Sequence, residues 1–274
     1  MTWDMPFLFP FMQNAFVMAA ILAVPTALLS CFLVLKGWAL MGDAVSHAVL
    51  PGVVIAWIVG WPLLVGAFLS GMACALLTGF LTENSRVKSD TVMGVVFSGM
   101  FALGIILYTS VDTNEHLDHI LYGNMLGVET HELKTTAWIA GVVTMLLLVK
   151  WRDLLLHTFD PAQAQAAGLP VLWLHYGLLV VLSLTIVATL ASVGLVLAIG
   201  LLITPGAIAF LVVRSFGWML FVAVVVCELA MFLGVYLSFF LNSAPAPTVI
   251  LILTAVFVLA FARRMILTRR AGMA

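Results

Sequence analysis

Charged residues are scarce in this sequence. They make up 8% of its 274 residues, whereas about a quarter of the residues in a typical soluble domain are charged. The hydrophobic fraction is 64% and the mean hydropathy of the chain is +1.23, which leaves no room for a soluble domain. This composition excludes a secreted disulfide scaffold, a nucleic-acid-binding protein and a disordered chain. It predicts an all-α, polytopic membrane protein that lies in a lipid bilayer.

Cysteine is also rare, and no two cysteines have the CxxC spacing of a metal or redox site. Cys31, Cys74 and Cys227 each lie in an apolar run, so we expect them to be small core residues. The sequence has no GxxxxGK[ST] phosphate-binding loop, so we expect no enzyme. If the protein takes part in ATP-driven transport, another chain must hydrolyse the ATP. Residues 1–11 lack a basic segment, so we expect no cleavable signal peptide.

Long apolar runs account for most of the chain. Stretches of about 20 apolar residues predict membrane-spanning helices, and nine occur, at 14–35, 43–60, 62–81, 92–110, 133–150, 173–191, 193–213, 217–240 and 246–262. The second is short and polar, and the seventh is interrupted at Thr204-Pro205-Gly206. Eight spans with one broken or re-entrant helix therefore fit nearly as well as nine. All charge-rich stretches are short loops, so residues 1–274 are expected to form a single membrane domain.

Lysine and arginine indicate the orientation, because they accumulate on the cytoplasmic side. With nine spans and the N-terminus outside, ten of the eleven lie on one side, and only Lys134 lies outside. The cytoplasmic ten are Lys36, Arg86, Lys88, Lys150, Arg152, Arg214, Arg263, Arg264, Arg269 and Arg270. The outer side instead collects Asp4, Asp112, Glu115, Asp118, Glu129 and Glu132.

Two acidic residues lie inside predicted spans, Asp43 and Glu228. An ionisable group in a span is costly and is therefore a candidate functional residue. His47 follows Asp43 by four residues and shares its helix face. If the helix began near Lys36, His47 would lie about 16 Å into the hydrocarbon core. The same estimate from Arg214 places Glu228 about 21 Å deep, so both groups are expected to meet a central pathway.

A carboxylate and an imidazole on one face suit a divalent transition metal. Two ligands are too few for a tight structural site, which suits a permease that must release its ion. The structural alternative is that Asp43 accepts a hydrogen bond from His47 and that both hold helices together. For Glu228 the favoured interpretation is structural, a pairing with a neighbouring Ser, Thr or His, and direct metal contact is the alternative.

The outer loop, 111–132, has five acids, no Lys or Arg, and the histidines His116, His119 and His131. A negative vestibule would concentrate cations or dock a basic surface, and His-rich tracts bind metal. A solvated loop that binds no specific ligand is the favoured interpretation. Residues 119–128 are typical of a short amphipathic helix at the membrane interface.

The longest cytoplasmic loop, 151–171, contains a predicted helix. Asp160 can cap it, Pro161 suits its first position and Gly168 suits its C-terminal end. A capped helix of about two turns between two spans suits docking on a cytoplasmic partner, and a plain connecting helix is the alternative. His157 and His175 flank this loop and are expected at the surface or at an interface.

Several segments together resemble one family. The segment GWALMGDAVSHAVLPGVVIAW (37–57) is similar to the Leu-Met-Gly-Asp-Ala-x-Ser-His-Ala-x-Leu-Pro-Gly run of metal-ion permease subunits of ABC importers for manganese, iron and zinc. The segment HTFDPAQAQAAGLP (157–170) resembles the family's coupling helix against the ATPase. The run SVGLVLAIGLLITPGAIAFLVVR (192–214) and the piece LDHILYGNMLGV (117–128) also resemble family segments, in the same order.

The resemblance implies an all-α permease in the bacterial inner membrane. It implies a second permease copy or a related permease, two cytoplasmic ATP-binding subunits and an extracytoplasmic metal-binding protein as partners. It gives Asp43 and His47 the role of coordinating the ion in transit, and it gives the stretch from Phe159 to Gly168 the role of contacting the ATPase. The metal is cargo, and no permanent cofactor is expected.

The identity of the metal stays open. Manganese and iron are favoured because no His-rich cytoplasmic loop suggests zinc handling, and a zinc-specific ABC permease is the alternative. A secondary transporter driven by protons, with Asp43, His47 and Glu228 as its relay, is an alternative of another class. A structural membrane subunit without an ion path is the third hypothesis.

Overall fold

The computed structural model describes residues 5–111 and 125–271, and in these residues every regular element is a helix. The helices are α1 (Met5–Leu8), α2 (Pro10–Lys36), α3 (Met41–Val59), α4 (Leu63–Glu83), α5 (Ser89–Thr109), α6 (Thr130–Phe159), α7 (Pro161–Ala166), α8 (Val171–Val193), α9 (Leu195–Val212), α10 (Phe216–Leu241) and α11 (Pro245–Ala271). The all-α prediction is confirmed.

Eight of these helices, all except α1, α6 and α7, are long and apolar enough to cross a membrane. Helix α6 has 30 residues and contains the predicted span 133–150. Near the start of α6, the Asn14 side-chain amide donates to the carbonyl of Val128 at 3.3 Å. At its other end, His157 Nε2 lies 3.0 Å from Lys36 Nζ. Since Asn14 and Lys36 belong to opposite ends of α2, α6 runs along α2 and crosses with it, which supports nine crossings.

No helix break occurs at the two predicted positions. Helix α9 is continuous from Leu195 to Val212 with Pro205 inside it, and α3 is continuous with Pro51 inside it. The expectation of a broken or re-entrant helix is therefore corrected for these segments. Gly206 has a packing role instead, because a Cβ there would lie 2.6 Å from the Ser30 backbone of α2.

Helix α2 forms the centre of the bundle. It packs against α6, α9 and α10, while α3, α4 and α5 pack together beside it and α8 contacts both groups. The three cysteines are free and buried, as the sequence predicted: Cys31, Cys74 and Cys227. The described cysteines are therefore core residues.

One end of the bundle is basic, as the orientation argument predicted. Lys36 at the end of α2 contacts His157 at the end of α6 and, at 3.5 Å, His175 near the start of α8. Arg214 and Arg264 line one cavity with residues from the ends of α2 and α6. We call this end the cytoplasmic end and the opposite end the outer end.

Candidate functional site

Asp43 and His47, the predicted pair, lie near the start of α3, and their side chains are in contact. His47 Nδ1 is 3.1 Å from Asp43 Oδ1, and the same nitrogen is 3.1 Å from the Asp43 carbonyl oxygen. Ser46 Oγ donates to that carbonyl at 2.8 Å. Because Asp43 belongs to the first turn, the positive end of the helix dipole also stabilises its negative charge.

The depth of the pair differs from the sequence estimate. Helix α2 ends at Lys36 and α3 begins only at Met41, so a connection separates them at the cytoplasmic end. His47 is therefore about 9 Å from the start of its own helix, a third of the way into the bilayer. Glu228 is about 18 Å along α10 and lies nearer the midplane. The depth estimate for His47 is therefore corrected, because the connection between Lys36 and Met41 is not helical.

His47 is held on one side by aromatic rings. Its imidazole lies 5.7 Å from the ring of Phe97 and 5.4 Å from the ring of Phe101, both on α5. The sequence analysis missed these residues, although their spacing of four places them on one helix face. The side chains of His47 and Asp43 remain 26% and 33% exposed, so the pair is open on its other side.

Helix α3 has weaker backbone hydrogen bonding next to the pair. Pro51 has no N–H to donate to the carbonyl of His47, four residues earlier. Just beyond it, Gly52 faces Gly66 of α4, and a Cβ on Gly52 would lie 2.1 Å from the Gly66 carbonyl oxygen. Ser70 Oγ of α4 donates to the Ala48 carbonyl at 2.6 Å. These contacts fix α3 against α4 around the pair.

The chain offers two ligands at this place. Among the described residues no group of three or more His, Cys, Asp or Glu side chains could hold a metal ion. Glu228 is not brought together with Asp43 and His47, since α10 packs on α2, α9 and α11, whereas α3 packs chiefly on α4 and α5. A bound ion would complete its coordination with water or with groups of another chain.

A cavity of about 380 Å³ opens at the outer end between α3, α4, α6 and α8. His131, Glu132 and Thr135 line it, together with Thr136 and Ser192, whose hydroxyl oxygens lie 3.2 Å apart. Glu132 also accepts from the backbone N–H of Glu129 at 3.4 Å, which caps α6.

The prediction of a negative outer vestibule rests partly on residues that the structure does not describe. His116, His119 and the segment 112–124 lie outside the described residues. The amphipathic helix predicted over 119–128 falls largely in the same segment. His131 is exposed at the rim of the outer cavity, where it could meet an incoming ion.

The predicted cytoplasmic helix is present as α7. Asp160 caps it, with Oδ1 accepting from the Gln163 N–H at 3.0 Å, and Pro161 occupies the first position. Gly168 follows the helix with a φ of 78°, a left-handed conformation that favours glycine. Phe159 is 68% exposed just before the cap. The local geometry of this segment therefore agrees with the sequence prediction.

His157 and His175 correct one expectation. His157 was expected at the surface or at an interface, but it is only 3% exposed. It lies beyond the predicted span 133–150, where burial and the neighbouring Lys36 and His175 lower its pKa to about 4. The sequence gives no signal for this contact because 121 positions separate Lys36 from His157. This cluster ties the ends of α2, α6 and α8 next to α7.

Comparisons with known proteins identify a transport family and similar membrane proteins. The ABC 3 transport family model matches residues 8–264. The "Chelated iron transport system membrane protein YfeD" of Yersinia pestis is 56% identical over 255 residues, covering 93% of this chain and 86% of that protein. The "Manganese transport system membrane protein MntB" of Synechocystis is 43% identical over 256 residues, covering 93% and 83%. A solved structure, "PsaBC from Streptococcus pneumoniae in complex with Fab", matches with a TM-score of 0.83 and 36% identity, covering 92% of this chain and 91% of that chain.

Proposed function

Because the chain belongs to the ABC 3 transport family, we propose that it carries manganese or iron as the membrane-spanning permease subunit of an ATP-driven importer. The names of two relatives support this cargo, since one names chelated iron and the other names manganese. The observation that carries the proposal is the contact between the Asp43 carboxylate and the His47 imidazole, at 3.1 Å on an open helix face.

The ion enters at the outer end from an extracytoplasmic metal-binding protein. The outer cavity, with His131 and Glu132 at its rim, receives it. Val53 of α3 lines the same cavity and lies six residues beyond His47, which is about 9 Å along the helix. An ion that leaves the cavity toward the cytoplasm therefore has only a short distance to cover before it reaches the pair.

Asp43 and His47 hold the ion transiently. Asp43 supplies negative charge and the neutral imidazole of His47 supplies a nitrogen. A proton on that nitrogen competes with the metal, so binding weakens in acid. Two ligands from one chain give a weak site, and the open side of the pair suits further ligands from a second permease copy. Phe97 and Phe101 exclude water from the closed side.

ATP hydrolysis belongs to a partner chain. Helix α7 is the element that contacts this partner, since it projects between α6 and α8 at the cytoplasmic end with Phe159 exposed beside it. The Asp160 cap and Gly168 fix both ends of α7, which allows it to transmit force as a unit. Movement of α7 is passed to α8 directly, because the two are joined by four residues.

The test is uptake of radiolabelled manganese, iron and zinc by cells that express the chain with its neighbouring transport genes. Asp43→Asn and His47→Gln remove a ligand with little change of shape, and each is expected to lower uptake at least about tenfold. The matched control is Asp153→Asn, which removes a carboxylate from the exposed pair with Lys150 at the cytoplasmic end. Protein level in the membrane is measured for each variant.

The outcomes separate the hypotheses. Wild-type uptake by both ligand variants, at wild-type protein levels, would contradict the proposed ion site and support a structural role. Uptake that continues after the ATPase gene is deleted would favour a proton-coupled carrier. A preference for zinc over manganese and iron would favour the zinc-specific permease.

A further inference from the structure

A cavity of about 280 Å³ lies at the cytoplasmic end, where α2, α6, α9, α10 and α11 meet. Leu35, Phe159 and Phe210 form part of its apolar wall, and Arg214 and Arg264 supply its positive charge. No residue of the metal pair or of α7 (Pro161–Ala166) lines this cavity, and Phe159, which precedes α7, contributes one side of its wall. It therefore needs an explanation of its own.

No carboxylate of the described residues neutralises the charge in this cavity. In residues 5–111 and 125–271, the ion pairs are His47 with Asp43 and Lys150 with Asp153, so neither cavity arginine pairs with a carboxylate. The cavity also borders the first turn of α10, which has 26 residues, and the Ser215 side chain does not cap that turn. Free backbone N–H groups at a helix start add to the attraction for an anion.

The cavity lies at the cytoplasmic ends of the spanning helices, next to the headgroup region of the bilayer. Leu35 and Phe210 line it, and both belong to the spanning helices α2 and α9, within about one turn of their ends. Phe210 is 55% exposed and nearby Trp218 is 63% exposed, so the cavity opens toward the apolar side of the bundle that faces the lipid. Tryptophan at this level is typical of the headgroup region of a bilayer.

We propose that this cavity binds the phosphate of an anionic phospholipid from the cytoplasmic leaflet. Arg214 and Arg264 contact the phosphate, and the apolar wall contacts the start of an acyl chain. A cytoplasmic protein could reach the arginines, but it would not reach the wall at Phe210 inside the bilayer. A lipid meets both features at once, and it enters sideways from the membrane without crossing a polar surface.

The experiment measures lipid binding to the purified full chain by native mass spectrometry. Phosphatidylglycerol and phosphatidylcholine are titrated separately, and we expect the wild type to bind phosphatidylglycerol more tightly. Arg214→Gln combined with Arg264→Gln is expected to weaken phosphatidylglycerol binding about 25-fold, at roughly a fivefold loss for each arginine. The matched control is Arg263→Gln combined with Arg269→Gln, which removes two exposed charges from the same end outside the cavity lining.

Four results would overturn the proposal. The first is that the wild type binds phosphatidylglycerol and phosphatidylcholine equally tightly, a test that does not depend on the folding of any variant. The second is an equal loss of phosphatidylglycerol binding in the control and in the cavity variant, because it would indicate general surface charge. The third is displacement of phosphatidylglycerol by inorganic phosphate at equal concentration, because it would indicate a site for a free anion. If the cavity variant binds lipid normally but no longer copurifies with an ATPase subunit, the arginines belong to a protein interface and the proposal is also wrong.

Discussion

The contact between Gly52 and Gly66 gives the sharpest test of how α3 is held against α4. A Cβ added to Gly52 would lie 2.1 Å from the Gly66 carbonyl oxygen and 2.4 Å from the Ser70 Cβ. Ordinary contacts begin at 3.4 Å, so Gly52→Ala forces the two helices apart by about 1.3 Å at this point. The clashing oxygen belongs to the backbone, so no side-chain rotation relieves it.

The expected cost of Gly52→Ala is about 3 kcal/mol or more, the upper range for overpacking a tight interior. We therefore expect its melting temperature to fall by about 6 °C or more. Tryptophan fluorescence of the detergent-solubilised chain provides the signal, because the sequence contains eight tryptophans. Part of the cost is offset by the better helix propensity of alanine, which favours Ala over Gly by about 1 kcal/mol.

The control is Gly141→Ala on α6, where an added Cβ meets nothing within 4 Å. Alanine there is expected to leave the melting temperature unchanged or to raise it slightly, because it gains helix propensity without a clash. The reasoning is refuted if the melting temperature of Gly52→Ala equals that of the wild type or that of Gly141→Ala. Uptake by Gly52→Ala cells is expected to fall as well, because the clash lies five residues from His47 on the same helix.

Two further predictions concern the cytoplasmic end. The low pKa of His157, about 4, means that the unfolded chain binds a proton more readily, so the melting temperature should fall as the pH drops from 6.5 toward 4. His157→Gln should make this fall shallower, whereas the exposed His131→Gln should not, and equal pH profiles for all three proteins would contradict the assignment. Asp160→Ala removes the cap of α7, worth about 1 kcal/mol, and should lower metal uptake about fivefold at an unchanged protein level. Asp160→Ser should restore uptake, and wild-type uptake by Asp160→Ala would contradict the role of the cap.

The helices were predictable because their signal is strong and local. Each spanning helix is an apolar run of about 20 residues, and the basic residues alone orient the set. Sequence patterns also predicted the Asp43–His47 contact, since residues four apart on a helix share a face. The cap at Asp160 was predictable for the same reason, because its donor is only three residues away.

Contacts between distant segments were not predictable. Nothing in the sequence connects Lys36 with His157, or His47 with Phe97 and Phe101, since these pairings depend on how whole helices pack. The helix break predicted at Thr204-Pro205-Gly206 is absent from α9, because tertiary packing overrides the local propensity of these residues. The glycine there admits the α2 backbone at Ser30, and a proline within a long buried helix is tolerated when neighbouring helices surround it.

The same packing bears on how ATP hydrolysis could release the ion. Gly52 meets the Gly66 backbone, and a Cβ on Gly104 of α5 would lie 2.9 Å from Pro51, so α3 has no space to slide against either neighbour near His47. This close packing couples the position of α3 to those of α4 and α5. Helix α8 packs against α6 as well as against α4 and α3, and four residues join it to α7. A push on α7 would thus reach α3 through α8, and at the proposed ion site it would change the surroundings of Asp43 and His47 on their open side.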